Sequence, residues 1–340
     1  MKLITLGKTG ITTPQNAFGA LPIQRVEKSE AVRILRKAAE GGITFFDTAR
    51  SYSDSEEKLG EAFQGIRKDI ILASKSHAKN GIELKSDLET TLRNLRTDHL
   101  DLYQLHCAPS CFSPDDGTGL YEALSEAKQA GKVLHIGITT HKLDVAEEAV
   151  QSGLYETLQF PFSYLASERD ISLVRSCAEA GMGFIAMKGL SGGLLTNAEA
   201  CMAFMQQYPV LPIWGIQRES ELDQWLAFFK HDAVMTDSLK DLIEHDRAGL
   251  LGDFCRGCGY CAPCTAGIQI NQCARMSQMI RRSPSAGFLS PYWQEEMEKI
   301  SQCIRCGACL RRCPYELNIP DLLRKNLEDY RKIVAGEIQI

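Results

Sequence analysis

Thirteen cysteines lie in a chain of 340 residues, and they are spread unevenly. Cys107, Cys111, Cys177 and Cys201 are scattered ahead of residue 250; the other nine fall between Cys255 and Cys313. Eight of the nine form two runs, Cys255-x2-Cys258-x2-Cys261-x2-Cys264 and Cys303-x2-Cys306-x2-Cys309-x3-Cys313-Pro314. A disulfide framework usually runs through a small secreted domain, whereas a dense run of thiols with short spacers points to metal ligation. Short loops let successive thiolates wrap the corners of one compact iron–sulfur cluster, and a Pro directly after the fourth cysteine strengthens that reading. The alternative is a pair of zinc sites with four cysteines each. Such sites usually join two separated pairs and need no evenly spaced third and fourth thiolate. Cys273 falls outside both runs and reads as a core thiol.

The elements that would carry such chemistry differ along the chain. Short apolar runs suited to buried strands occur at Ala17–Leu21, Ile43–Asp47, Asp69–Lys75, Leu100–His106, Val133–Ile138, Glu156–Phe160, Gly183–Met187 and Val210–Trp214. Amphipathic stretches alternate with them. In the first, Ser29 is the expected N-cap, Ala31, Ile34, Leu35 and Ala38 share a face, and Gly41-Gly42 ends the helix. Eight β-then-α units in one run predict an α/β chain with a (β/α)8 TIM barrel. An open doubly wound sheet is the rival, but the G-x-G-x-x-G turn expected after its first strand is missing. The first 15 residues fit no barrel unit and read as a short hairpin or cap. The expected organisation is a barrel over 1–235, a linker over 236–250 and a small, mostly helical C-terminal domain over 251–340. That domain should end in a helix after Asn318, with Leu323, Leu327 and Tyr330 on one face.

Composition narrows the class. Hydrophobic residues make up 44% and charged residues 24%, as expected of a globular chain with a sizeable core. No apolar run reaches the roughly 18 residues of a membrane span, and the N-terminus lacks secretory-signal features, so a cytoplasmic protein is expected. No basic, aromatic-laced patch suggests nucleic acid. From Cys255 to Ile340, twelve Lys and Arg outnumber eight Asp and Glu, within a chain of net charge −5. Two oxidised clusters with their thiolates, at about −2 each, would roughly cancel that surplus.

The segment Ile43-Thr44-Phe45-Phe46-Asp47-Thr48-Ala49-Arg50-Ser51-Tyr52 resembles the aldo-keto reductase family. So do Leu72-Ala73-Ser74-Lys75 and Tyr103-Gln104-Leu105-His106, and the resemblance covers roughly residues 1–235. It implies a catalytic set of Asp47, Tyr52, Lys75 and His106, each at or just past the C-terminal end of an expected strand, where barrel active sites assemble. In that reading Tyr52 gives a proton to the carbonyl oxygen. Lys75 lowers the phenol's pKa from its ordinary value of about 10, Asp47 holds Lys75, and His106 donates a hydrogen bond to the same oxygen.

The resemblance also implies a nicotinamide cofactor, NADP(H) in preference to NAD(H). Thr139, Thr140 and Gln159 would bond its carboxamide, and Met187 would pack where relatives place an aromatic ring. Lys188, Leu190 and Gly192 would lie at the pyrophosphate, in a Gly-rich turn that a plain loop could equally use. Gln217 and Arg218 would lie at the adenosine end, although Glu221 falls where relatives carry an Arg.

The second cysteine run matches that of bacterial ferredoxins, in which the fourth thiolate reaches the other cluster. This implies a ferredoxin-like domain with two [4Fe–4S] clusters, one on Cys255, Cys258, Cys261 and Cys313, the other on Cys303, Cys306, Cys309 and Cys264. The first run departs from the pattern, with a two-residue last spacer and Thr265 in the place of Pro. The fusion resembles the subgroup of aldo-keto reductases with a C-terminal iron–sulfur domain.

The leading expectation is therefore an oxidoreductase that interconverts a small-molecule carbonyl compound and an alcohol by hydride transfer. The alternative is an electron-transfer protein whose clusters serve a redox partner such as ferredoxin. Nicotinamide gives two electrons and a cubane takes one. A flavin normally bridges that gap, and no sequence sign of one is present. The clusters are accordingly read as either structural or electron-transferring.

Overall fold

In a computed structural model, residues 1–250, 254–282 and 284–340 are described. The chain divides into two compact units. Met1–Leu190 with Asn197–Thr236 form the first, and Ser191–Thr196 with Asp237–Ile340 form the second.

The first unit opens with an antiparallel hairpin, β1 (Leu3–Thr5) and β2 (Thr12–Pro14). Eight strands follow: β3 (Ala17–Gly19), β4 (Phe45–Asp47), β5 (Ile71–Ser76), β6 (Leu100–Leu105), β7 (Val133–Thr139), β8 (Thr157–Pro161), β9 (Gly183–Met187) and β10 (Val210–Gly215). They pair in parallel, in chain order, and β10 closes on β3. The helices between them are α1 (Lys28–Glu40), α2 (Ser55–Ala62), α3 (Gly81–Leu95), α4 (Leu120–Gln129), α5 (Leu143–Ser152), α6 (Glu168–Ala180) and α7 (Ala198–Met205), with α8 (Glu219–Ala227) last. This is the expected (β/α)8 barrel, with strand ends within two residues of the sequence reading. The cap of α1 differs: the helix begins at Lys28, so Ser29 is inside it and Glu27 holds the cap position without a side-chain bond.

The hairpin plugs one end of the ring. Ile4 and Leu6 pack with Ala17, Phe45, Ala73, Leu102, Ile185 and Leu211 in one buried cluster. A Cβ on Gly183 would sit 2.8 Å from Cβ of Leu6, so glycine is what lets the plug approach β9. Each large apolar side chain buried this way contributes about 1.5–3 kcal/mol, so closing that end is a major part of the barrel's stability.

The second unit is helical: α9 (Asp237–Leu250), α10 (Ile270–Cys273), α11 (Met276–Arg282), α12 (Ser285–Phe288), α13 (Pro291–Glu298), α14 (Ala308–Arg312) and α15 (Ile319–Val334). The stretch read as a linker, 236–250, is thus mostly helix, with Leu239 and Ile243 buried on one face. The final helix forms as expected, with Pro320 in its first turn and Leu323, Leu327 and Tyr330 buried. Its Asn326 is buried and bonds Ser277 N–H at 3.0 Å, the Ala274 carbonyl at 3.3 Å and the Leu322 carbonyl at 2.9 Å, tying α15 to the start of α11. Cys273 is fully buried in this core, and burial pushes its thiol up to about 12. Among the described residues, no helix is long and apolar enough to cross a membrane.

Candidate functional site

At the ends of β4 and β5 the barrel buries an ion pair. Lys75 Nζ lies 2.7 Å from Asp47 Oδ2 and also donates to the Thr48 carbonyl, at 2.5 Å. Both side chains are almost wholly buried. Parallel pairing sets Asp47 beside Ala73, so a lysine two residues further along β5 reaches back to it. Burial pushes the Asp47 carboxyl above its ordinary range, and the Lys75 ammonium opposes that push.

The loop after β4 is fastened to β5 by Thr48 N–H to the Ala73 carbonyl and Arg50 N–H to the Lys75 carbonyl, both 2.9 Å. Thr48 and Ser55 hydroxyls meet at 2.9 Å, closing the loop. It carries Tyr52, whose ring centroid is 5.1 Å from Lys75 Nζ. The ammonium therefore faces the ring and contributes a cation–π attraction. The sequence reading had Lys75 lowering the Tyr52 pKa. Instead burial, followed by the charges of Asp47 and Cys107, holds the hydroxyl well above the usual phenol range. In this geometry Tyr52 is firmly protonated, the state a proton donor needs.

His106 follows β6 directly. Its ring meets Tyr52 edge-on, with centroids 5.6 Å apart, and stacks on His77 at 3.9 Å. Burial first, then the Lys75 ammonium, depresses its pKa well below the ordinary histidine value. The imidazole is neutral at neutral pH, with one N–H to donate. Asp47, Tyr52, Lys75 and His106 are thus brought together at one mouth of the barrel.

The remaining barrel residues singled out from sequence ring the same strand ends. Thr139 ends β7; its Oγ1 accepts the Cys107 N–H at 2.7 Å, while Thr140 Oγ1 donates to the Ala108 carbonyl at 3.0 Å. Both threonines brace the loop after β6. Gln159, on β8, accepts from Gln104 Nε2 at 3.0 Å, linking β6 to β8 through buried polar groups. Met187 ends β9 half-buried, and Lys188 follows in a left-handed conformation, φ +59°. Leu190 closes this part of the first unit. Gly192 belongs instead to the second unit, where a Cβ on it would fall 2.5 Å from Gln278 Oε1. After β10, Gln217 Oε1 is buried without a hydrogen-bond partner, as an acceptor awaiting a donor would be. Arg218 is exposed at the start of α8. Glu221 Oε2 takes the backbone N–H groups of Gln217 and Arg218, at 2.9 and 3.3 Å, and so sets a carboxylate at this helix entrance.

In the second unit the cysteines sort into two groups. Cys264, Cys303, Cys306 and Cys309 line one cavity, which Cys261 also borders. Burial pushes the Cys261 thiol up to about 12, with the thiolates of Cys255, Cys258 and Cys313 adding to the push. Those four therefore sit near one another. Cys313 lies with the first run and Cys264 with the second. Arg256 stacks its guanidinium 3.9 Å from the Tyr315 ring centroid. Cys306 is exposed, and hydrogen bonds from the Ala308 backbone and Thr265 lower its pKa. The donor set, four thiols per group on short loops, fits iron–sulfur ligation.

Two features of the barrel mouth were not anticipated. Glu56, in the first turn of α2, is buried and accepts from Ser74 at 2.9 Å, Thr91 at 2.8 Å, Asn94 at 3.1 Å and Arg50. It anchors the segment that carries Tyr52. The second feature is His77. Ser76 pairs with Leu105, so the next residues of the two strands, His77 and His106, come side by side. That neighbourhood follows from register alone once the strands are aligned.

Comparison with known proteins agrees with this architecture. Residues 6–207 match the model of the Aldo/keto reductase family, and residues 254–318 match a 4Fe-4S dicluster domain. Fold and site define a barrel oxidoreductase that carries an iron–sulfur domain. The chain belongs to the aldo/keto reductase family. The uncharacterized oxidoreductase YqkF of Bacillus subtilis is 30% identical over 211 residues, covering 58% of this chain and 67% of that protein. L-galactose dehydrogenase of Arabidopsis thaliana is 30% identical over 218 residues, covering 58% and 68%. Among solved structures, the holo form of aldo-keto reductase AKR11C1 from Bacillus halodurans superposes with a TM-score of 0.63 at 22% identity, covering 72% of this chain and 96% of that one. An aldo/keto reductase from Klebsiella pneumoniae in complex with NADP and acetate gives 0.60 at 20% identity, covering 72% and 94%. At these identities the structural likeness is one of fold.

Proposed function

We propose that the barrel catalyses the NADP(H)-dependent interconversion of an aldehyde or ketone and its alcohol. The observation that carries this reading is the buried Lys75–Asp47 pair against the face of Tyr52, with a neutral imidazole at the edge of the same phenol. A bound nicotinamide supplies or accepts the hydride at the carbonyl carbon. The chain does the rest. Tyr52 Oη holds the proton destined for the carbonyl oxygen. His106 donates its N–H to that oxygen and orients it, and Lys75, fixed by Asp47, stabilises the negative charge left on Tyr52 as the proton departs. Thr139, Thr140, Gln159 and Met187 would flank the nicotinamide, Lys188 and Leu190 the pyrophosphate, and Gln217 and Arg218 the adenosine. The orphaned Gln217 oxygen fits an adenine amino group, and the NADP bound in the Klebsiella relative supports the choice of dinucleotide. Glu221 opposes a 2′-phosphate, so NADH is the competitor that a side-by-side assay must include. Carbonyl reduction by wild type and by Tyr52→Phe tests the assignment: the variant should keep its fold and lose the reaction.

The domain over 251–340 is proposed to hold two [4Fe–4S] clusters, one on Cys255, Cys258, Cys261 and Cys313 and one on Cys264, Cys303, Cys306 and Cys309. Exposure of Cys306, between Arg305 and Arg311 in sequence, favours a second reading in which this edge exchanges single electrons with an acidic partner such as ferredoxin. Iron and sulfide counts test the clusters. Bleaching of their absorbance by NADPH, without added carbonyl, tests whether they communicate with the barrel.

A further inference from the structure

Three metal-ligating side chains converge at the barrel mouth beside the proposed proton donor. One ring nitrogen each of His77 and His106 and the sulfur of Cys107 all lie within 4.8 Å of one another. The arrangement is built by the fold. The pairing of Ser76 with Leu105 sets the two histidines on adjacent strand ends with stacked rings. Cys107 comes next in the chain, in a left-handed conformation of φ +51°, its N–H held by Thr139 Oγ1. Among the described residues this is the one group of three such ligand atoms within 4.8 Å of one another.

We infer that His77, His106 and Cys107 form a binding site for a borderline-soft divalent ion, Zn2+ in particular, and that the ion acts as a reversible inhibitor. Two imidazoles and a thiolate suit zinc and disfavour magnesium or calcium, which take oxygen ligands. In a tetrahedral site, ligand atoms at ordinary zinc bond lengths stand roughly 3.3–3.8 Å apart, so closing the group requires inward movement of about 1 Å. His77 is exposed and able to make that adjustment. Three protein ligands leave a fourth position for water. The inhibitory consequence rests on the reading of His106 proposed above: an imidazole drawn inward onto zinc is fixed by the metal and no longer free to turn its N–H to a carbonyl oxygen. Binding itself does not rest on that reading.

The test uses the full-length, iron-loaded protein, dialysed against buffered free Zn2+, with bound zinc and iron counted together and carbonyl reduction measured on the same samples. One zinc per chain is expected with the iron count unchanged, and His77→Asn and Cys107→Ala should each weaken that binding by more than about tenfold. Zinc should inhibit carbonyl reduction by the wild type, a chelator should restore it, and each variant should need correspondingly more zinc. Equal zinc binding by wild type and both variants overturns the site. Zinc uptake matched by iron loss also overturns it, by placing the metal in the cysteine runs. Zinc held through these residues with no loss of turnover overturns the inhibitory role. A metal-free wild type that reduces no carbonyl compound refutes the enzymatic reading instead, and the dialysis result still decides the site.

Discussion

The barrel mouth and the cysteine-lined unit reach functional geometry by opposite routes. In the barrel, Asp47 and Lys75 are held by parallel register between strands whose apolar faces are fully buried, and the Tyr52 loop is fastened by hydrogen bonds at both ends. In the second unit the proposed ligands sit on loops and on α14, a helix of five residues, and Cys264, Cys303, Cys306 and Cys309 line a cavity whose other walls include Ile268, Ile270 and Leu323. Its apolar core is concentrated on α15 and the pieces packed against it. One site is positioned by its scaffold; the other is completed by what it holds.

Removing the iron should give the largest effect and bears on this contrast directly. With iron chelated, or with Cys303 and Cys306 changed to Ser, limited proteolysis should degrade the region from about residue 254 onward while the barrel persists. Metal binding energy is folding energy where no preformed site exists. A chain equally resistant with and without iron would break the comparison.

Tyr52→Phe comes next. Loss of a positioned general acid should cost about 10²–10⁴ in turnover, with an unchanged melting temperature, because the scaffold and not the hydroxyl holds the loop. The raised pKa of Tyr52 also gives a sign for the pH profile. The phenol stays protonated through the neutral and mildly alkaline range, so reduction should show no loss from Tyr52 ionisation up to pH 9. Alcohol oxidation, which needs the proton acceptor, should rise with pH over the same range. A reduction rate that falls from pH 7 to 9 with a Tyr52-dependent midpoint would contradict this.

Glu56→Ala should destabilise the barrel by about 3–5 kcal/mol, since it strands Arg50, Ser74, Thr91 and Asn94 without their acceptor. Chemical denaturation of wild type and variant measures it, and a loss under 1 kcal/mol would mean that the loop does not depend on this anchor.

The smallest effect is expected at the two-pronged Arg281–Asp329 pair, with contacts of 2.7 and 2.9 Å joining α11 to α15. Burial opposes ionisation of Asp329, but the Arg281 bonds prevail and hold its carboxyl below the ordinary range. Its contribution is therefore present above the unfolded carboxylate pKa and is lost as pH falls through the lower folded value. Because the pair is partly exposed, Asp329→Asn should cost only about 1 kcal/mol near neutral pH, and nothing once both states are protonated. An unchanged difference between wild type and variant from pH 7 to pH 2 would remove the ion pair from the account.

Much of this molecule is legible in local pattern. Apolar runs of strand length alternating with amphipathic stretches specify eight β-then-α units, because side-chain periodicity reports which face is buried. The two cysteine runs announce their chemistry by spacing alone, since short loops around one cluster are a property of the chain itself. What no local pattern contains is which strand ends meet. The closeness of His77 to His106, the burial of Glu56 under the Tyr52 loop, the grouping of Cys313 with the first run and the departure of Gly192 into the second unit all depend on register and packing between distant segments. The same holds for the Tyr52 hydroxyl. Residue type supplies the phenol and the ammonium, but only the folded site decides that burial and the Asp47 charge raise the phenol's pKa, because desolvation belongs to the surroundings and not to the residue.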